Sequence, residues 1–370
     1  MVRPFRIYDT LRRSIVPFVP RRPGHVGLYV CGMTVYDHAH VGHARAMVVF
    51  DAFVRYLRHG GWDVHYVRNY TGIDDAFDED MRALGLLAPD AAMAHDTLEG
   101  GLDIHGGGLV FPHHENEIAQ SECAHGAPHA GHWMHSGLLT TSDGAEIARS
   151  EGDGATIREV LTQTPSEALR LAYLSAHYRA PLAWSDTTVR DALSQLARLY
   201  AAIESARAMG GDGDADRMAH ELGRDAADML ARARALPACV EEALDDDFDT
   251  PRALQHVFEL ARAIQRVAKS PRIARSAGPI ADIAIASLAV VRDTLGLLGS
   301  TPEAFDAEVR QKLLPVMGLD AASIDQRVAR RIEARARRAF DEADAIRAEL
   351  DAMGLDVRDT PRGTDWRVRV

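Results

Sequence analysis

Cysteine is scarce. The 370 residues hold three, Cys31, Cys123 and Cys239, too few and too far apart for a disulfide framework, which points to a reducing compartment. Long apolar runs are missing as well: none reaches the roughly 18 residues that a membrane helix needs. The opening MVRPFRIYDTLRRSIVPF scatters charge among its apolar residues, unlike a signal peptide. A soluble, cytoplasmic protein without a membrane partner is expected. Nor is there an excess of basic charge. Lys and Arg number 42 against 54 Asp and Glu, a net charge of -12, so nucleic acid could be held only through a local basic face. Extremes of composition are absent too: 46% hydrophobic and 26% charged residues are ordinary globular usage, and the length allows two or three domains.

From Gly27 to Asp75 the order is strand, polar turn, helix, strand. GLYVCG is a short apolar run, MTVYDHAHVGHAR a polar turn, AMVVFDAFVRYLRHGG has helical spacing and ends on Gly60 and Gly61, and DVHYVRNYTG reads as a second strand. This predicts a βαβ unit in a parallel sheet with a glycine helix cap. Ligands of such sheets bind at the carboxyl ends of the strands, here just after Val30 and just after Tyr70. From about Ser166 onward the period is almost wholly helical, so the expected fold class is α/β: a parallel-sheet domain followed by a mainly α-helical C-terminal region.

Four constellations could carry chemistry. His-Val-Gly-His at His40 to His43 opens the helix after the first strand, where amides, dipole and imidazoles suit a polyphosphate; two exposed histidines in a turn are the plain alternative. In His-His-Glu-Asn-Glu, His113 and Glu117 stand at i, i+4 on one helix face and could form a zinc site with Cys31 from the strand end; a surface polar pair is the alternative. Asp-Ile-His-Gly-Gly-Gly at Asp103 to Gly108 offers a bare backbone beside a carboxylate and an imidazole, open to a nucleotide or amino acid, or a simple bend. Arg327, Arg330, Arg331, Arg335, Arg337 and Arg338 crowd one helical segment against Glu333, reading either as phosphate contact or as a solvated face paired with neighbouring acids.

LYVCGMTVYDHAHVGHARAMVVFDAFVRYLRHGGWDVHYVRNYTGIDD resembles the catalytic core of bacterial cysteinyl-tRNA synthetases. So do LDIHGGG, FPHHENEIAQS, WMHSG, LRLAYLSAHYRAPLAWS, EEALDDDFDTPRAL and the closing ARRAFDEADAIRAELDAMGLDVRDTPRGTDWR, in family order over nearly the whole chain. The resemblance implies a Rossmann-type catalytic domain at 1–165, a helical stem and anticodon-binding-like domain at 166–310, and a C-terminal helical tRNA-binding-like domain at 311–370. It implies activation of cysteine with ATP and Mg2+, transfer to tRNA, specifically tRNA(Cys), and a monomer. His40, His43 and Arg149 would be catalytic. Gly42, Gly106 and Gly107 would join them in holding ATP. Cys31, Gly32, Thr71, Asp103 and His105 would line the cysteine and adenosine pocket, and Cys31, His113 and Glu117 would bind zinc, whose preference for a soft thiolate rejects serine.

Three departures accompany the resemblance. Only 27 residues separate Asp75 from Asp103, where the family carries a long insertion with a second zinc cysteine and a tryptophan; Cys123, six positions past Glu117, falls about 240° round a helix and cannot substitute. The family's Lys-Met-Ser-Lys-Ser loop reads Glu-Ile-Ala-Arg-Ser, so Glu146 replaces the first lysine and Arg149 the second, and adenylation should be slow. Two residues are missing after the Gly-Gly-Gly run. These changes leave two rival expectations beside a working ligase: a paralogue that passes the amino acid to another acceptor, and a catalytically degenerate tRNA-binding protein.

Overall fold

The computed structural model describes residues 2–32, 39–68, 79, 81–90, 102–108, 110–141, 143–145, 147, 155–360 and 363–370. The chain forms two compact units, Met1–Arg158 with Ser166–Gly299, and Glu159–Pro165 with Ser300–Val370.

In the first unit an antiparallel hairpin, β1 (Arg6–Asp9) and β2 (Ser14–Pro17), precedes the expected βαβ. Strand β3 (His25–Val30) leads to helix α1 (Val41–His59) and on to β4 (Asp63–Arg68); β5 (Leu102–Gly107), helix α2 (Glu115–His125) and β6 (Ala130–His135) follow. The four strands from β3 to β6 form one parallel sheet in the order β4-β3-β5-β6. The chain leaves β3 toward one side and returns on the other, so the order reverses between β3 and β5, and at such a reversal a doubly wound sheet opens a crevice beyond its strand ends. Cys31 lies at that point, its N–H donating to the Gly106 carbonyl at 2.9 Å.

Helix α1 is buried along most of its circumference, including Arg45 and Asp51. Arg45 answers its burial by donating to the carbonyls of Leu138 (2.6 Å), His177 and Ala180, fixing two loops near the crevice. The helix stops as its glycines predict. Gly61 takes φ +83°, its N–H bonds to the Arg58 carbonyl, and the Trp62 N–H bonds to the Leu57 carbonyl, the paired bonds of a Schellman stop.

The long helices Asp186–Arg207, Arg224–Asp245 and Thr250–Ala268 complete this unit, the first and third capped by Ser185 and Asp249. Among the described residues no helix is long and apolar enough to cross a membrane. The second unit packs helices Pro302–Val316, Ala321–Ala336 and Phe340–Ala352 with an antiparallel pair, Leu355–Thr360 and Gly363–Val368. Its helices match the expected mainly helical region; the closing hairpin does not follow from a helical period. Leu355, Val357, Trp366 and Val368 are its buried residues, alternating two apart in each strand as a half-buried ribbon requires.

Candidate functional site

Two strand ends and one helix start converge beyond the sheet. Cys31 follows β3, His105 lies within β5, and a π-helical turn, Val110–His114, delivers His113 and His114 directly into α2 with Glu117 in its first turn. Such turns shift side chains off the α-helical spacing and recur at functional sites. His113 Nε2 lies 3.1 Å from Cys31 Sγ and 3.3 Å from Glu117 Oε1, so the three residues expected to bind metal meet around one imidazole. Cys123 is exposed on α2, as the helical-wheel argument requires.

The electrostatics follow from burial and neighbours. Burial pushes the Cys31 thiol up to about 12, and the nearby Glu117 carboxylate adds to the rise. Burial would raise Glu117 as well. The close approach of His105, Nε2 to Oε2 at 2.8 Å, and the surrounding imidazoles overcome this and bring it down to about 2. His114 and His135 are lowered by burial to about 3 and about 4, so both rings are neutral. A carboxylate, neutral imidazoles and a thiol that loses its proton to a bound cation are the donors of a borderline-soft metal.

Several expected pocket residues have other work. Asp103 stands at the opposite end of β5 from the crevice, and its two oxygens accept from the Arg21 N–H (2.6 Å) and the Gly27 N–H (2.7 Å); it ties down the start of the sheet rather than lining the adenosine pocket. His105 is 0% exposed and stacks on Trp133 with centroids 4.3 Å apart, and its Nε2 lies 2.8 Å from Glu117. Gly106 and Gly107 are buried under side chains. A Cβ on Gly106 would lie 2.4 Å from the Phe50 ring, and one on Gly107 would lie 2.7 Å from His114 Cε1. Both glycines leave room for neighbouring side chains. Gly107→Ala should therefore displace the His114 ring and lower metal affinity, read by chelator competition, while leaving the sheet intact.

His40 is the N-cap of α1, and its ring lies 3.7 Å from that of His43. Its Nδ1 accepts from the Gly42 N–H at 3.0 Å, which in the neutral ring places the proton on Nε2. The Val41 N–H is taken by the Ala155 carbonyl. The first two amides of the helix are thus engaged, and an anion here would meet the dipole and imidazole N–H groups in place of bare backbone donors. Gly32 accepts from the Cys31 thiol at 3.5 Å. Thr71, Glu146 and Arg149 lie outside the described residues.

The arginine-rich helix of the second unit is largely neutralised from within. Arg327 pairs with Glu349, Arg331 and Arg335 with Asp359, and Arg337 with Glu342. Arg331, 3% exposed, holds the hairpin through a bidentate bond to Asp359 at 2.8 and 2.9 Å. Paired helix residues, the alternative reading, describe these four better than phosphate contact does; Arg330 and Arg338 remain as candidates.

Reasoning from sequence passed over His114, His135 and Trp133. The doubled histidine of His113-His114 and the Trp-Met-His triplet of β6 were visible, but nothing in a linear pattern says that the His114 and His135 rings meet in the folded chain.

The description of the tRNA synthetases class I (C) catalytic domain matches residues 17–83 and 89–194, that of the DALR domain 239–299, and that of the cysteinyl-tRNA ligase anticodon binding domain 321–367. The cysteine–tRNA ligase of Geobacter metallireducens is 34% identical, covering 98% of this chain and 99% of its own, and that of Geobacter sulfurreducens has the same identity and coverage. The first alignment spans 490 positions, 120 more than the 370 residues of this chain, so at least that many positions of the relative, taken together, have no counterpart here. The break in the catalytic match falls between Asp75 and Asp103, where the insertion was found missing. Among solved structures, the methionyl-tRNA synthetase of Mycobacterium tuberculosis in complex with methionyl-adenylate superposes with a TM-score of 0.53 at 11% identity, over 80% of this chain and 94% of its own, a likeness of fold.

Proposed function

Since the chain belongs to the cysteine–tRNA ligase family of class I synthetases, we propose that it activates cysteine with ATP and Mg2+ to cysteinyl-adenylate and passes the cysteinyl group to tRNA(Cys), as a cytoplasmic monomer. The observation that carries this reading is the meeting of Cys31, His113 and Glu117 at the reversal point of the sheet, in a chain that aligns with its relatives from end to end. We assign the catalytic domain to 1–165, the helical stem to 166–310 and the terminal tRNA-binding domain to 311–370.

Cys31, His113 and Glu117 would hold zinc. The orphaned Nε2 of His114, buried beside Cys31, speaks for a cation at this place, because a lone pair or N–H left dry is costly without a partner. Bound zinc would supply a soft Lewis acid that takes the substrate thiolate and leaves serine's hydroxyl behind. His105 orients Glu117 from behind. His40 would donate from Nε2 to the α-phosphate as charge develops there, with His43 against its ring; Gly42 gives the His40 ring its place beside the ATP, and Gly32 would let the ligand approach the strand end. Thr71 would contact cysteine, and Arg149 would supply the loop cation for the departing pyrophosphate. The rival readings, a non-tRNA acceptor or a degenerate tRNA-binding protein, gain nothing from relatives that carry the ligase name over their full length.

The test is ATP–pyrophosphate exchange on zinc-assayed protein, with serine as the comparison. Exchange driven by cysteine and not by serine is expected. Absence of exchange from folded, zinc-containing protein overturns the reading and makes Glu146→Lys the first change to try.

A further inference from the structure

The loss of the insertion leaves a zinc site one donor short, and the interior holds a candidate for the vacancy. His114 is 1% exposed, and its Nε2 has no hydrogen-bond partner among the described residues. A ring nitrogen of His114, Cys31 Sγ and a ring nitrogen of His113 lie within 4.8 Å of one another. A second trio at the same spacing, His105, His114 and Glu117, also contains His114, so this one ring faces both the sulfur and the carboxylate sides of the cluster.

The other face of the ring is already supported. His114 Nδ1 lies 2.7 Å from His135 Nε2, and His135 Nδ1 lies 2.9 Å from Thr10 Oγ1. The proton can sit along this relay in two ways. When His135 donates to the Thr10 oxygen, its Nε2 accepts from His114 Nδ1–H, and His114 Nε2 is left with a lone pair that a cation can take. A metal-binding histidine has this arrangement: one nitrogen to the cation, the other N–H to a fixed acceptor that sets the tautomer. Gly107 keeps room for the ring, since a Cβ there would lie 3.1 Å from His114 Nε2 and 3.4 Å from the Cys31 Cβ.

We propose that His114, through Nε2, is a zinc donor alongside Cys31 and His113, taking in this shortened chain the place of the cysteine that the missing insertion would bring. The inference rests on the zinc reading above and deepens it. One sulfur and two imidazoles replace a set richer in sulfur. Such a site holds zinc less tightly against thiol competitors, and Glu117, 2.8 Å from His105, is the donor that would yield its position to the substrate thiolate.

The experiment measures metal, not turnover. Zinc affinity of the whole protein is determined by chelator competition for the wild type, His114→Gln, His135→Gln and Cys31→Ser, with circular dichroism to check folding, and the visible spectrum of the cobalt-loaded protein is recorded for each. His114→Gln is expected to weaken zinc by at least about tenfold and to shift the cobalt ligand-field bands while keeping the sulfur-to-cobalt band; His135→Gln should weaken it by less. X-ray absorption at the zinc edge of the wild type should show one protein sulfur and two imidazoles, a count that needs no variant to fold. Zinc bound normally by His114→Gln with unchanged cobalt bands, or a single imidazole in the wild type, overturns the role of His114 and leaves zinc at the other residues. A wild type that takes up no zinc overturns both.

Discussion

Replacing Cys31 by serine should remove zinc from the protein and with it the preference for cysteine. Loss of a group that merely supports a metal ligand lowers affinity or activity by about 10–100-fold, so loss of the ligand itself should lower cysteine-dependent pyrophosphate exchange by at least about 100-fold. Residual exchange should no longer favour cysteine over serine. The physical reason is that serine keeps the shape of residue 31 and a hydroxyl's hydrogen bonds but cannot give a soft anionic donor near neutral pH. Exchange kinetics with both amino acids, alongside zinc content, decide it; a zinc-free variant that still selects cysteine would show that selectivity comes from the pocket walls.

Replacing Asp51 by alanine should unfold the first unit more readily than any change at the surface. Asp51 and Arg170 are each 3% exposed and paired side chain to side chain; Asp51 also accepts from Arg55 at 2.8 Å and the Leu87 N–H at 2.6 Å. Arg170 reaches the Leu295 carbonyl as well, so the pair joins α1 to the helix Ser166–Leu174 and to the end of Ala289–Leu295. Burial pulls Arg170 down from its ordinary value, yet a guanidinium keeps its charge near neutrality, and without Asp51 that charge would stand alone in the interior. Breaking such a pair costs about 3–5 kcal/mol, to be read as a lower urea midpoint. Replacing both residues with apolar ones of similar volume should restore most of the loss.

The same pair sets an acid limit. Burial raises Asp51, but Arg170, Arg55 and the Leu87 amide outweigh it and hold the carboxyl below its ordinary value. A depressed folded value means a contribution fully present above the unfolded value, about 3.9, and lost as pH falls through the folded one. Asp51→Asn should therefore flatten the acid limb of the stability profile, followed by urea titration at several pH values.

What could be read without coordinates was whatever depends on neighbours in the chain. The βαβ order, the stop at Gly60 and Gly61, the helical remainder and the His113–Glu117 pair all rest on local spacing, and the family resemblance extended them to an activity. The deletion between Asp75 and Asp103 was also legible, because it is an absence of length. Folding decided what depends on partners remote in sequence. Asp103 looked like a pocket carboxylate until two backbone amides from the start of the sheet took its oxygens. Gly106 and Gly107 looked like bare backbone, and folding sets the Phe50 and His114 rings against them. The arginines near the end looked like a phosphate-binding face and were answered mostly by acids more than twenty positions away. His114 is the plainest instance: sequence places it beside a predicted ligand, but only the packing of β5, β6 and the π-helical turn buries it near Cys31, braces one nitrogen and leaves the other without a hydrogen bond among the described residues. A linear pattern carries direction and period; which groups lose their water, and what replaces it, is settled by the assembled interior.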